Sequence, residues 1–323
     1  MTQAVKIASQ VDGPVKVVWT REEDIQHDIF RPYYLGRLRA GLDAEGMPVS
    51  FAHRVVGASI MARWLPPAFQ NGIDADAVDG AAGPYSFPNS LVDYVRQELP
   101  PGLKAGFWRG VGMTRNAVRV EGFVDELAES AGRDPVEYRR ALLAASPRAR
   151  AVLDLAAGKA NWGAPMPARS GRGVSLLFGF GSYVAQVAEV TVADDGKVRV
   201  NRVVCAVDCG QVVNPDTVKA QIEGGTIFGL SAALFGEITI EKGRVEQANF
   251  DTYPVLRIDE APAIEVHLVA SNEAPGGIGE PGTSGVAPAV VNAIFAAVGV
   301  RLRHLPIRPT AVLQALASQS RGH

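Results

Sequence analysis

Near the C-terminal end, Gly276-Gly277-Ile278-Gly279-Glu280-Pro281-Gly282-Thr283 sets one carboxylate among glycines and a proline. Glycine-rich segments let a backbone come close to another group. The apolar run Val286–Val298 follows, with Pro288 in its first turn and Gly299 just beyond, and reads as a helix. A helix start offers unpaired N–H groups and a partial positive charge. An acid in that setting is either a turn residue or a base facing a bound group. The spacing Gly277-x-Gly279-x-x-Gly282 also fits a dinucleotide fingerprint, but the surroundings do not. A linker, residues 271–275, separates it from the strand expected at 264–270, and Pro281 lies inside it. The region about 20 residues on, where that fingerprint needs an acid, carries Arg301, Arg303 and Arg308.

A second glycine-rich loop, Phe107-Trp108-Arg109-Gly110-Val111-Gly112, leads into a helix expected over 116–131. Its apolar face is Val120, Phe123, Val124 and Leu127, and Gly132 ends it. Asn214-Pro215 opens a third relevant element, a helix through Leu234 that carries Gln221, Glu223, Gly224, Gly225 and Gly229. Each internal glycine costs about 1 kcal/mol relative to alanine. Their clustering points to close backbone packing against another element or a ligand.

The elements that must position these loops follow from local signals. Residues 15–20 (VKVVWT) read as a short buried strand. Residues 34–42 and 48–56 read as a hairpin through Asp43-Ala44-Glu45-Gly46. Residues 57–101 form a long irregular excursion rich in Pro, Gly and Asn. Asp134-Pro135-Val136-Glu137 caps a helix to Ala145, and Ser146-Pro147 opens another to Gly158. Beyond Gly171 strands take over: 183–192 and 197–207 about Asp194-Asp195-Gly196, and a hairpin over 238–245. A last helix is expected near 310–317. A boundary near 158–171 gives two lobes, residues 1–160 and 161–323, the second carrying the Glu280 loop.

The chain has 323 residues, 47% hydrophobic and 20% charged, which suits one large or two ordinary domains and argues against disorder. A net charge of -2 leaves no basic surplus for nucleic acid. No apolar run approaches the roughly 20 residues of a membrane span, and no signal peptide opens the chain. Met1 to Ala8 reads as an amphipathic helix already under way, without a cap. Only two cysteines occur, Cys205 and Cys209. On a strand they would stand about 13 Å apart, too far for a disulfide. Two thiols alone hold neither an iron–sulfur cluster nor a structural zinc, so they read as small core residues. His27 and His53 lack a second ligand at metal spacing and read as surface or packing residues; Asp208 and Asn214 read as turn and cap residues.

Taken in order, several motifs resemble the molybdopterin-binding large subunit of the xanthine dehydrogenase/aldehyde oxidase family, isoquinoline 1-oxidoreductase beta-subunit type. They are Trp19-Thr20-Arg21-Glu22-Glu23-Asp24 with His27-Asp28; Gly106 through Gly112; Ser182-Tyr183-Val184-Ala185-Gln186-Val187-Ala188-Glu189-Val190; Val207-Asp208-Cys209-Gly210 with Val213-Asn214-Pro215; Gln221-Ile222-Glu223-Gly224-Gly225; and Gly277 through Thr283 with Pro288-Ala289. The resemblance covers the C-terminal half of such a subunit. Relatives carry His-Glu-Ser where this chain has Leu177-Phe178-Gly179, and histidines near Met113 and Arg115.

The resemblance implies an α+β fold: a two-lobed molybdenum-cofactor-binding domain, here partial. It implies molybdenum held by the dithiolene of a pterin, the cytosine dinucleotide form being one variant, with no iron–sulfur cluster in this chain. The implied reaction is water-derived hydroxylation of an aldehyde or N-heteroaromatic substrate, with hydride transfer to molybdenum and Glu280 as general base. Gly110, Gly112, Gly277 and Gly279 would bring backbone N–H groups to the cofactor. Arg109 would contact the cofactor or polarise substrate, or else bond loop carbonyls structurally. Gln221 and Glu223 would touch the cofactor or a neighbouring helix. The implied partners are a small [2Fe-2S] subunit, the N-terminal molybdopterin-binding half or a separate subunit supplying it, and cytochrome c in some relatives. The compartment would be cytoplasmic by default, or periplasmic when joined to an exported partner. The alternatives are a truncated or degenerate chain without catalysis, or a structural subunit that docks an iron–sulfur partner.

Overall fold

A computed structural model describes residues 1–320. In order the elements are α1 (Thr2–Ala8), α2 (Arg21–His27), β1 (Tyr34–Leu42), β2 (Pro48–Gly57), α3 (Met61–Trp64), β3 (Phe69–Gln70), β4 (Ile73–Asp74), α4 (Ala75–Val78), β5 (Ser90–Arg96), α5 (Val111–Ser130), α6 (Pro135–Leu142) and α7 (Pro147–Lys159). Then come β6 (Ser170–Gly179), β7 (Ser182–Val192), β8 (Val198–Asp208), α8 (Pro215–Leu234), β9 (Ile240–Glu241), β10 (Arg244–Val245), β11 (Ala263–Leu268), α9 (Pro281–Ser284), α10 (Val286–Val298) and α11 (Pro309–Ser320). The fold is α+β.

The centre is a sheet of order β11-β8-β7-β6, antiparallel except for β11, which runs parallel to β8. Both faces are covered, which is why these strands read as nearly continuous apolar runs. On one face Val184, Ala188, Val203 and Cys205 pack with Ile222 and Leu230 of α8 and with Val290 and Ile294 of α10. On the other, Ala185, Val187, Val204 and Ala206 pack with α5, α6 and α7 through Val124, Leu142 and Val152. Gly173 of β6 makes the α10 contact possible: a Cβ there would collide with the backbone of Ala289, Asn292 and Ala293. A second sheet, β1-β2-β5, packs beside α5.

A buried ionic network ties these layers together. Arg139 of α6 donates to Glu121 Oε2 (3.0 Å) and reaches Asp125 (3.4 Å), both on α5. Tyr85 and the amide of Leu176 donate to the same Glu121 carboxylate at 2.6 and 3.0 Å, and Arg301 donates to Asp125 at 2.6 Å. Burial pushes the Glu121 carboxyl up, against the pull of Arg139. Burial also disfavours charge on Arg139, but Glu121, Tyr85 and Asp125 outweigh it and hold that group above its ordinary value.

Several expectations need correction. Residues 15–20 form no strand: no neighbouring strand pairs with them, and Val18 and Trp19 are exposed. The helix expected from Asn116 begins at Val111, inside the glycine-rich loop. Gly110, at φ +87°, turns the chain sharply enough to start it there. The helix placed to Ala145 ends at Leu142. The 57–101 excursion holds β5, which lies parallel to β2. The stretch Pro281–Val298 is long and apolar enough to cross a membrane, but 78% of it is buried, as in a core helix. None of the residues of α1 is buried.

Candidate functional site

The Glu280 loop is pinned from two directions. Beneath it, the β6–β7 turn and the end of β8 hold its backbone. The amides of Gly276 and Gly277 donate to Cys209 O (2.8 Å) and Phe180 O (2.7 Å). Ser182 Oγ donates to Gly277 O at 2.8 Å. Gln186, fully buried on β7, donates to Gly282 O (3.3 Å) and Thr226 Oγ1 (3.0 Å). Ser175 Oγ donates to Gly285 O at 2.6 Å. Such bonds within low-dielectric surroundings fix a loop in one geometry.

The second anchor is the loop before α5. Arg109 Nε donates to Gly279 O at 2.8 Å, and its Nη2 donates to Gln221 Oε1 at 2.9 Å. One guanidinium thus joins the Glu280 loop to α8. The Gly110 amide donates to Glu280 Oε2 at 3.2 Å. Thr114 and Ser284 share a hydroxyl bond of 2.7 Å between α5 and α9. Trp108 stacks on Phe228 of α8, centroids 4.8 Å apart.

Helix α8 supplies the floor. Its Gly229 faces Thr283 O and Val286, and Gly225 faces the Gly282–Thr283 peptide. These two glycines therefore serve protein packing. Gly224, one position from Gly225, meets nothing within 4 Å. Asn214 caps α8 through Oδ1, which accepts from the amides of Asp216 (3.0 Å) and Thr217 (3.1 Å).

The sequence-derived site residues gather as follows. Glu280, Arg109, Gly110, Gln221 and Gly279 meet in one contact set. Gly277 lies at its edge against Phe180. Gly112 is turned away: its amide donates to Asp76 Oδ1 at 2.9 Å, and a Cβ there would run into Asp76 O. Glu223 is exposed and makes no side-chain hydrogen bond among the described residues. His53 is a packing residue, with Nδ1 at 2.8 Å from Ala81 O. Asp208 forms a two-pronged pair with Arg148 (2.7 and 2.8 Å), which holds its carboxyl below the usual range, and it also accepts from the Gly210 amide. Cys205 and Cys209 are buried free thiols, and burial pushes Cys205 up to about 11.

Ser182, Gln186, Thr114 and Ser284 have positioning roles that sequence reasoning did not assign. A signal existed for two of them. Ser182 and Gln186 fall in phase with Val184, Ala188, Val190 and Val192 along β7, an otherwise apolar series in which a polar side chain needs a partner.

The Glu280 carboxylate is half-buried. Its Oε2 takes the Gly110 N–H, while Oε1 has no hydrogen-bond partner among the described residues. The exposed Gly279 beside it faces open space, since a Cβ there would meet nothing within 4 Å. A pinned carboxylate with one free oxygen next to an open backbone face suits proton transfer beside a flat bound group. The residues present therefore fit a pterin-type cofactor.

Two domain models, each described as molybdopterin cofactor-binding domain, match residues 2–143 and 140–262. The isoquinoline 1-oxidoreductase subunit beta of Brevundimonas diminuta is 34% identical over 330 residues, covering 100% of this chain and 41% of that protein. A membrane-bound aldehyde dehydrogenase [pyrroloquinoline-quinone] of Gluconacetobacter polyoxogenes is 33% identical, covering 96% of this chain and 44% of that protein. This chain thus spans less than half the length of these curated relatives. Among solved structures, the reconstituted CO dehydrogenase from Oligotropha carboxidovorans superposes with a TM-score of 0.81 at 12% identity, covering 100% of this chain and 66% of that one. That likeness speaks for the fold, and the sequence matches speak for the family. The chain belongs to the molybdopterin-binding subunits of the xanthine dehydrogenase/aldehyde oxidase family.

Proposed function

We propose that this chain is part of a molybdenum hydroxylase acting on aldehydes or N-heteroaromatic compounds, with Glu280 as its general base. The observation that carries this reading is the Glu280 carboxylate itself, anchored through one oxygen by Gly110 and free at the other, beside the open face of Gly279. When bound, a molybdenum–pterin group supplies the oxygen-transfer and two-electron chemistry of the hydroxylation. The chain's own task is to hold a proton acceptor in place. Glu280 Oε1 takes the proton, which leaves a neutral carboxylic acid whose carbonyl oxygen Oε2 goes on accepting the Gly110 N–H. Arg109 fixes the Gly279 carbonyl and, through Gln221, the distance to α8, so that the acceptor does not drift. Such positioning matters because misplacement by about 1 Å can cost around a hundredfold in rate.

The cofactor would lie along Gly277 and Gly279, with Arg109 and Gln221 at its edge. Gly110 would act by anchoring Glu280, and Gly112 by letting α5 pack on Asp76. The cytosine dinucleotide form would extend the same contact. The two lobes proposed from sequence, 1–160 and 161–323, would both line it. The substrate class follows the names of the relatives, which include an isoquinoline oxidoreductase and an aldehyde dehydrogenase. The latter's name carries pyrroloquinoline quinone, but the domain models matched here are molybdopterin-binding, and the cofactor proposed follows them. Electrons would leave through a small [2Fe-2S] subunit and, in some assemblies, cytochrome c. Two buried cysteines cannot hold a cluster. The remaining wall of the site would come from the molybdopterin-binding half that this chain does not span. An exported partner would carry the complex to the periplasm; otherwise it stays in the cytoplasm.

The test is metal and pterin analysis of the protein purified from its native host with its partners retained. Near-stoichiometric molybdenum and pterin supports the reading. A folded, partner-bound protein with neither overturns it.

A further inference from the structure

A cavity of about 470 Å³ opens between the segment around Tyr34, the first turns of α5, the end of α8 and Thr283. The Glu280 carboxylate is not part of its lining, which carries four arginines, Arg31, Arg115, Arg119 and Arg303. Arg31 makes no hydrogen bond or ion pair among the described residues; its guanidinium lies over the Trp108 ring at 4.8 Å. Arg119 donates only to uncharged acceptors, Tyr34 O (2.7 Å), Asn116 Oδ1 (3.1 Å) and Arg115 O (3.2 Å). Burial pushes both guanidiniums down to about 10, and the nearby Arg115 adds to each shift.

Arg115 is the third member. Its side chain is only 3% exposed and pairs with Asp76 through Nη2, leaving Nε and Nη1 without a partner. Thr283, 1% exposed, has an unpartnered Oγ1 and lines the same cavity. The carboxylate in the lining, Glu237, is already paired with Arg308, and Arg303 at the lining is paired with Glu126. Among the described residues, two guanidinium charges thus lack a counter-charge, and three buried polar atoms lack a partner. Leaving buried donors unmade is costly, so this arrangement is stable chiefly when an acceptor-rich anion fills it.

We propose that this cavity is a binding site for a phosphate group, held by Arg31, Arg115 and Arg119 with Thr283. A phosphate ester carries about −1.5 to −2 charge at pH 7, which matches the two uncompensated guanidiniums. Its oxygens suit the planar arginine fork. The volume exceeds that of a bare phosphate, so the group sits at the end of a larger molecule. That molecule is either a phosphorylated small compound or the phosphate-bearing end of the pterin cofactor. The site does not depend on the role given to Glu280.

The test is calorimetric titration of the full, cofactor-free chain with inorganic phosphate at constant ionic strength. We expect one saturable event, weakened at least tenfold in Arg31→Met. Arg31 makes no hydrogen bond that folding depends on, and circular dichroism checks the variant's fold. Thr283→Val, which keeps the side-chain shape, should weaken binding by a smaller factor. Absence of saturable binding, equal affinity in wild type and Arg31→Met, or binding of an acidic peptide but not phosphate overturns the proposal. The same titration on cofactor-loaded protein separates the sources. Blocked phosphate binding identifies the cofactor's phosphate as occupant, and unchanged binding identifies a separate phosphorylated ligand.

Discussion

Replacing the three glycines of α8 with alanine, one at a time, should give three different results. All three gain the same helix propensity, about 1 kcal/mol relative to glycine. What differs is the space each Cβ would enter. At Gly224 it meets nothing within 4 Å, so the gain stands alone and Gly224→Ala should stabilise by about 1 kcal/mol. At Gly225 it would lie 3.1 Å from Thr283 N and 3.2 Å from Gly282 C. A shift of a few tenths of an ångström relieves that, so the net effect should be close to zero. At Gly229 it would lie 2.5 Å from Thr283 O and 2.6 Å from Val286 Cγ1. The segment around Thr283 cannot easily yield, because Gln186 holds Gly282 O and Ser175 holds Gly285 O. Overpacking of that kind costs about 1 to 3 kcal/mol. The upper end applies here, leaving Gly229→Ala about 2 kcal/mol less stable after the propensity gain. Urea unfolding of the full chain measures all three. Three equal stabilisations would refute the packing of α8 beneath the Glu280 loop, and a destabilised Gly224→Ala would refute the open space at that position.

Arg139→Met should cost about 3 to 5 kcal/mol, because Glu121 is left buried beside Tyr85 without its positive partner; Arg139→Met with Glu121→Leu should recover part of that loss in denaturant unfolding. Burial pushes His53 down to about 4, so it stays neutral in the folded chain while the unfolded chain protonates near 6.5. Its contribution to stability is therefore full above about pH 6.5 and falls as pH drops toward 4, by roughly 3 kcal/mol in all, and His53→Gln should flatten that segment of the stability–pH curve. Arg109→Met should leave the fold intact, since the side chain is partly exposed, yet lower turnover by loosening Gly279. Arg109→Lys should not rescue it, because one ammonium cannot hold Gly279 O and Gln221 Oε1 in the fork's geometry.

The elements that the sequence announced most clearly are those with chemical punctuation. Asn214-Pro215 and Asp134-Pro135 both cap as their residue types demand, and α10 ends at Gly299 with φ +75°. The loop carrying Glu280 was legible for the same reason, as a carboxylate among glycines. What stayed hidden depends on partners distant in the chain. Residues 15–20 have strand-like composition but no strand to pair with, and composition alone supplies no ladder. The start of α5 depends on a left-handed turn at Gly110, a conformation the residue permits but does not announce. Among the described residues strand β5 pairs only with β2, and it is partly exposed. The Thr114–Ser284 bond and the Gln186 contact to Gly282 O join elements many residues apart. Gly112 reads like a cofactor glycine because it shares a loop with Gly110, and only the packing on Asp76 separates the two.

The Glu280 carboxylate, positioned by Gly110 and Arg109, is the proposed proton acceptor. Turnover per molybdenum in Glu280→Gln, assembled with its partners and compared with wild type, tests that most directly. Glutamine keeps the shape and can still accept the Gly110 N–H, so cofactor content should match wild type. Turnover should fall by about 10² to 10⁴, the usual contribution of a general base. Full cofactor content with undiminished turnover would contradict the account.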